Sequence, residues 1–146
     1  MSWSITHGAE VGHWVAPRVA GQYHAEMSEA IGLVREGKIV AGVIYENWNG
    51  ASIVTHIAIE GRLSPGYLFA IYHYPFVQCG VRKIIAPVSA GNTKSVAMCL
   101  NMGFIIEARI ADATPDGDLL MLTMTADKCR FLGDRYGKKC KGTARP

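Results

Sequence analysis

The sequence predicts an α/β (α+β) domain in which helices cover both faces of one mixed, mostly antiparallel sheet of about six strands. Three observations predict it. Residues 30–60 are β-branched runs cut by Gly- and Asn-containing turns, which is the pattern of an antiparallel meander. An apolar helical segment from Pro65 then leads into a further strand, 81–88, the long connection that a parallel pair requires. A second helix and a closing strand pair follow. With 146 residues, 49% of them apolar and 18% charged, the chain suits one core rather than two.

Each element has its local reason. Residues 9–19 read as a short helix that stops before Pro17. Ala30–Arg35 is a short apolar strand, and Glu36-Gly37-Lys38 a tight turn. Ile39–Glu46 is the next strand, Asn47-Trp48-Asn49-Gly50 closes a hairpin, and Ser52–Glu60 returns. Ser64-Pro65 reads as an N-cap followed by a proline at N1, opening a helix that runs to about Cys79. Pro75 kinks or divides that helix near Tyr72, and Gly80 ends it. Val81–Val88 is a strand, Asn92–Met102 a helix stopped by Gly103, and Phe104–Ala111 and Asp118–Thr125 are strands joined by Thr114-Pro115-Asp116-Gly117. Thr125-Ala126-Asp127 caps a last short helix to Leu132.

Several function classes drop out. No apolar run approaches the ~20 residues of a membrane span, and the start, Met1-Ser2-Trp3-Ser4, lacks the basic and apolar regions of an export signal. Cys79, Cys99, Cys129 and Cys140 show no CxxC spacing, so the expectation is a cytoplasmic protein with reduced thiols. His7, His13 and His24 with Glu10 lack metal-ligand spacing, so no metal is expected. No Walker loop and no Ser-His-Asp arrangement is found.

Charge divides the chain into a body, 1–127, and a basic tail, 128–146. The tail holds seven basic residues against Asp134 alone, while the body holds eight basic and eleven acidic residues. Two readings stand side by side: a solvated terminus, or an arm that meets the phosphates of nucleic acid or of a nucleotide-bearing ligand.

One segment carries a family likeness. Asn92-Thr-Lys-Ser95-Val-Ala-Met98-Cys99-Leu-Asn-Met-Gly103-Phe104 resembles the Asn-x-x-Ser/Ala-x-x-Leu-Tyr-x-x-x-Gly-Phe element of the GNAT N-acetyltransferase superfamily, and it follows a strand, as it does there. The resemblance covers roughly residues 30–125, and the run from Ala30 to Arg62 also looks like short GNAT-type proteins of phages and prophages.

The resemblance implies an acyltransferase using acetyl-CoA, with the donor in a gap where strands 52–60 and 83–88 splay apart. Backbone N–H groups near Ile57 and Ile59 would hold the thioester carbonyl. Gly61, Arg62, Ser64 and Gly66 would face the diphosphate, and Asn92 and Ser95 would flank the pantetheine arm. His56, Glu60 and Glu46 are the general-base candidates, His56 because it sits mid-strand beside the implied donor. Tyr45 is a candidate acid. Cys99 stands where many members carry the tyrosine that protonates the leaving thiolate.

Two departures are visible. The family's phosphate loop, Gln/Arg-x-x-Gly-x-Gly/Ala, is replaced by Glu60-Gly61-Arg62-Leu63-Ser64-Pro65-Gly66-Tyr67, and Cys99 replaces tyrosine. They leave room for two alternatives: an enzyme like the Mom DNA adenine-modifying proteins with a non-standard donor, or a fold retained only for binding. The expected partners are an amine acceptor, nucleic acid through the tail, no membrane, and a second copy of the chain across the 104–125 hairpin.

Overall fold

Turn chemistry sets the first half of the sheet. In the computed structural model, which describes residues 2–19 and 22–140, Glu36 and Gly37 both take positive φ (51° and 80°). That is the two-residue turn whose twist matches paired strands, and it joins β2 (Ser28–Arg35) to β3 (Lys38–Glu46). β4 (Ser52–Ile59) follows a loop pinned by Asn49, whose Oδ1 accepts from the N–H groups of Ala51 and Ser52 at 2.9 and 2.8 Å. Before this meander come β1 (Trp3–His7) and α1 (Ala9–Arg18).

After it come α2 (Pro65–His73), a π-turn (Tyr74–Gln78), β5 (Lys83–Ser89), α3 (Thr93–Met102), β6 (Ile105–Thr114) and β7 (Gly117–Thr125). Two 3-10 turns, Ala126–Lys128 and Arg130–Leu132, and α4 (Asp134–Cys140) complete the described chain. The caps behave as their residues demand. Ser64 Oγ accepts from Tyr67 N–H, Asn92 Oδ1 accepts from Ser95 N–H, and Gly103 closes α3 at φ 108°.

The sheet has seven strands in the order β1-β2-β3-β4-β5-β7-β6. The sequence-based count of six omitted β1, which pairs with β2 from Trp3↔Arg35 to His7↔Ile31. β4 and β5 run parallel, and their pairing spans only Ser52↔Lys83 to Val54↔Ile85. Each is held along its far edge, β4 by β3 up to Ile59↔Ala41 and β5 by β7 up to Ser89↔Leu119. The expected splay is therefore present and braced on both sides.

Two cores flank the sheet. On one face α2, α3 and the 3-10 turns bury Tyr67, Tyr72, Met102, Phe104 and Phe131 against Ile57, Ile84 and Leu122. On the other, α1 buries Val11 and Val15 against Ala30, Ile44 and Ala58. α1 lies close because Gly32 and Gly42 face each other in the β2–β3 ladder. A Cβ at Gly42 would stand 2.5 Å from Val15 Cγ2, and one at Gly32 2.7 Å from Val11 Cγ2. Gly42→Ala is accordingly expected to destabilise by about 1–3 kcal/mol through overpacking, read as a lower urea midpoint at unchanged slope.

Three sequence expectations change. α1 runs through Pro17 to Arg18, because the missing N–H falls in its last turn. Pro75 divides the predicted helix at His73 rather than Tyr72, with a π-turn absorbing the rest. The single helix expected to reach Leu132 is two 3-10 turns. Within 128–140, Phe131 is buried and stacks on Tyr72 at 5.0 Å, Tyr136 meets Phe131 edge-on at 5.1 Å, and α4 packs on α2. Of the basic residues of the 128–146 tail, Lys141 and Arg145 lie outside the described residues.

Candidate active site in the strand gap

The gap beyond Val54 and Ile85 opens a cavity of about 440 Å³ that passes between β4 and β5. His56, Thr55 and Ile57 line it from β4, Ala86 to Ser89 from β5, and Asn92, Ser95, Met98 and Cys99 from α3. A second cavity of about 360 Å³ continues along β4 from Ile57 to Glu60 between the strand and α3. Arg18, Asn92, Ser95 and Met98 border both.

Strand alternation sorts the walls. Ile57 packs with the α2 core and Ala58 with the α1 core, so His56 projects toward α1 while Thr55 and Ile57 project toward α2 and α3. His56 and Cys99 therefore reach one opening from opposite faces of the sheet.

The β4 backbone is committed in the same alternating way. Glu60 N–H donates to Val40 O at 2.7 Å, which directs the even-numbered N–H groups of this strand toward β3. The N–H groups of Ile57 and Ile59 then point into the gap, where β5 no longer pairs. An extended molecule lying in the gap would meet them as a strand partner would.

His56 Nε2 is 2.8 Å from Glu46 Oε2, with both side chains largely shielded. The pairing follows from register: Ile44 faces His56 and Glu46 faces Val54, so Glu46 and His56 are diagonal neighbours on one face. With Nε2–H given to the carboxylate, Nδ1 carries the lone pair that can take a proton.

Glu60 lies at the mouth of the gap, but its Oε2 takes Arg18 Nε at 2.8 Å. Arg18 is held further by Nη1 donating to Trp14 O at 2.7 Å and by stacking 3.9 Å from the Trp14 ring. It is a fixed cation bordering both cavities, and the sequence reading missed it. The one available signal was a lone arginine at the end of α1, whose direction no periodicity of a ten-residue helix defines.

Tyr45 is corrected. It points to the α2 face, is buried, and donates its hydroxyl to Ile71 O. Burial, with the neighbouring tyrosines adding to it, raises its phenol well above the usual range. It is a core residue remote in orientation from the gap.

Cys99 is 1% exposed, and burial pushes its thiol up to about 11, so it stays protonated at neutral pH. The folded chain keeps this proton above the ordinary thiol value of 9.0, where the unfolded chain releases it. Stability should therefore fall as pH rises from 9 toward 11, by at most about 1.4 kcal/mol per pH unit for this group. Cys99→Ala is expected to remove that share of the slope, read from denaturation midpoints across the alkaline range.

The loop before α2 fits a diphosphate incompletely. Pro65 offers no N–H, and Tyr67 N–H is taken by Ser64 Oγ at 3.2 Å, leaving Gly66 as the donor of the first turn. Ser64 and Gly66 are buried, and Gly61 packs tightly on Val40. Arg62 is exposed, and its carbonyl accepts from Arg35 Nε at 2.7 Å, which brings a second guanidinium to the loop. Positive charge here rests on two arginines and the α2 terminus.

No family model matches the sequence, and no curated protein matches it. Solved structures do. Mutant forms of the spermidine/spermine N-acetyltransferase SpeG from Vibrio cholerae superpose with a TM-score of 0.67 over 87% of this chain and 96% of theirs, at 12% identity. The spermidine N-acetyltransferase from Vibrio cholerae in complex with CoA and spermine gives 0.62 over 83% and 76%, at 16% identity. The Campylobacter jejuni N-acetyltransferase PseH in complex with acetyl coenzyme A gives 0.53 over 68% and 69%, also at 16% identity. With the order of its strands, the split between β4 and β5 and the α3 element in place, this chain has the GNAT fold of those acetyltransferases.

Proposed function

We propose that the protein is an N-acyltransferase that moves an acetyl group from acetyl-CoA to an amine. The observation that carries the reading is the braced split of β4 from β5, with His56–Glu46 on one face and Asn92, Ser95 and Cys99 on the other. The neighbours' complexes with CoA, acetyl coenzyme A and spermine support the donor and a small amine as acceptor.

In this reading Asn92, Ser95 and Met98 wall the pantetheine arm, and the Ile57 and Ile59 N–H groups bind it and the thioester oxygen. Arg62, Arg35 and the Gly66 N–H face the phosphates. The amine arrives from the α1 side, its nitrogen bonds to the carbonyl carbon, and the C–S bond breaks. His56 Nδ1 takes the amine proton, and the buried Cys99 thiol, or water, returns one to the departing thiolate. Glu46 holds the ring and stabilises its charged form.

Thermal denaturation with acetyl-CoA tests this. Saturation at 100 times Kd stabilises the fold by about 2.7 kcal/mol, so a clear rise in Tm is expected. Ser95→Trp fills the channel between α3 and β4 and should abolish the rise without preventing folding. No shift at millimolar donor overturns the reading.

A homodimer is part of the proposal as well. Edge strand β6 exposes Ile105, Ile106 and Ile110, a surface that strand edges seldom leave open to water. Light scattering on the intact chain and on Ile105→Lys compares the two states.

A further inference from the structure

Arg18 is the fixed cation of the gap, and the transfer step leaves it unused. We infer that Arg18 selects the acceptor, and that the acceptor is a small amine carrying a carboxylate at its other end. Its role as acceptor rests on the acetyl-transfer reading, whereas the selection of charge stands apart from it.

Arg18 stands on the acceptor's side of the sheet. It ends α1, which packs on the face that His56 meets. Glu60 lies two residues beyond Ala58, so strand alternation turns it to that same face, where its Oε2 takes Arg18 Nε at 2.8 Å. The guanidinium walls the 440 Å³ cavity together with His56. The two arginines assigned to phosphate, Arg62 and Arg35, wall neither cavity of the gap.

Its hydrogen-bonding capacity is only partly spent. A guanidinium presents five N–H donors in one rigid plane. Nε gives its proton to Glu60, Nη1 donates to Trp14 O at 2.7 Å, and Cζ lies 3.9 Å over the Trp14 ring. Nη2 has no partner among the described residues. Both of its N–H groups remain for a second carboxylate, a charge-assisted pairing to which arginine is well suited. Held on one edge and one face, the group loses little freedom when such a ligand binds.

Charge on the cavity wall fits the same ligand. Apart from His56, whose Nε2 is given to Glu46, the charged groups there are Arg18 and Asp116. Asp116 comes from the β6–β7 turn, beyond β5, where Thr114 Oγ1 donates to Gly117 O at 2.9 Å. One cation from α1 and one carboxylate from the far turn suit a zwitterion. A polycation would instead bring an ammonium group toward the guanidinium, and like charges so placed are costly.

Calorimetric titration of the full chain, both free and saturated with CoA, tests this. The probes are glycine, 3-aminopropanoate and 4-aminobutanoate, the amides of the three, and diamines of matching length. The best-bound amino acid should bind about 10–100-fold more tightly than its amide, as one hydrogen-bonded charge pair provides. The matching diamine should bind least. Arg18→Gln should erase the ratio by weakening the amino acid alone, and Arg18→Lys should keep part of it. Loss of a merely structural arginine would weaken all three compounds alike. Glu60→Gln should tighten the amino acid, since it removes the carboxylate that already shares the guanidinium. Four results each overturn the inference: an amide or diamine bound as tightly as the amino acid, a ratio that survives Arg18→Gln, weaker amino-acid binding in Glu60→Gln, or no binding of any probe to either form. The ratio without a donor-induced rise in Tm would leave an anion-selective cavity and no acyl transfer. Transfer without the ratio would leave an acceptor chosen by other groups.

Discussion

His56→Gln should lower kcat/KM for amine-dependent thiol release from acetyl-CoA by about 10²–10⁴-fold, with little change in donor binding. Glutamine can still donate a hydrogen bond to Glu46 Oε2, as His56 Nε2 does at 2.8 Å, so the hairpin keeps its local partner. What it loses is the second nitrogen, the atom assigned to take the proton. The pH profile separates this role from a structural one. A base that must be neutral gives a rate that climbs with pH, and in the variant that acid limb should vanish while residual turnover stays flat. Glu46→Gln should show a smaller loss and retain the limb, since it removes the charge that steadies the imidazolium but not the imidazole. If His56→Gln keeps both rate and profile, the base lies elsewhere and the assignment fails.

The legible parts of the fold were those with strong local chemistry. Glu36-Gly37, Asn49-Gly50, Ser64-Pro65, Asn92 and Gly103 each fix an element boundary by a cap or a positive φ, and each lies where its residue type requires. β1 was not legible, because its five residues bury Ile5 alone and its stability comes from β2, a partner distant in sequence. The C-terminal segment misled for a related reason. Its charge describes a solvated tail, while its packing depends on the rings of Phe131 and Tyr136 meeting α2.

The site divides in the same way. His56 and Glu46 could be named as candidates from the sequence, and the hairpin register then makes them a pair. Tyr45, one residue from Glu46, could not be assigned correctly, since a single step along a strand reverses the face. Arg18 and Met98 enter through the third dimension only, where the end of α1 and the flank of α3 converge on the gap. The departure of residues 60–67 from the family's loop pattern is visible in the sequence, whereas Arg35, which reaches that loop from the end of β2, is visible only in the structure.

Tyr72→Ala should cost about 3–5 kcal/mol, a large part of the 5–15 kcal/mol that holds a typical domain together. The ring is 2% exposed, stacks on Phe131 at 5.0 Å with 12° between planes, and lies 6.5 Å from Phe104. Its hydroxyl donates to Met102 Sδ at 3.0 Å. One side chain thus ties α2 to α3 and to the Arg130–Leu132 turn. Tyr72→Phe removes only a bond to a weak thioether acceptor and should cost about 1 kcal/mol or less. The contrast distinguishes packing from hydrogen bonding: equal losses in the two variants would mean the hydroxyl dominates, contrary to this account. Because Cys99 and Met102 anchor α3 in the same core, the cavity left by Tyr72→Ala should also loosen the helix that carries Asn92 and Ser95. Acetyl-CoA should then bind more weakly to Tyr72→Ala than to Tyr72→Phe, at a residue that does not line the gap. Limited proteolysis should cut first after Lys128 or Arg130, where the C-terminal turns lose the ring they stack on. Urea midpoints at a constant slope would measure the first effect, and donor-dependent shifts in Tm the second.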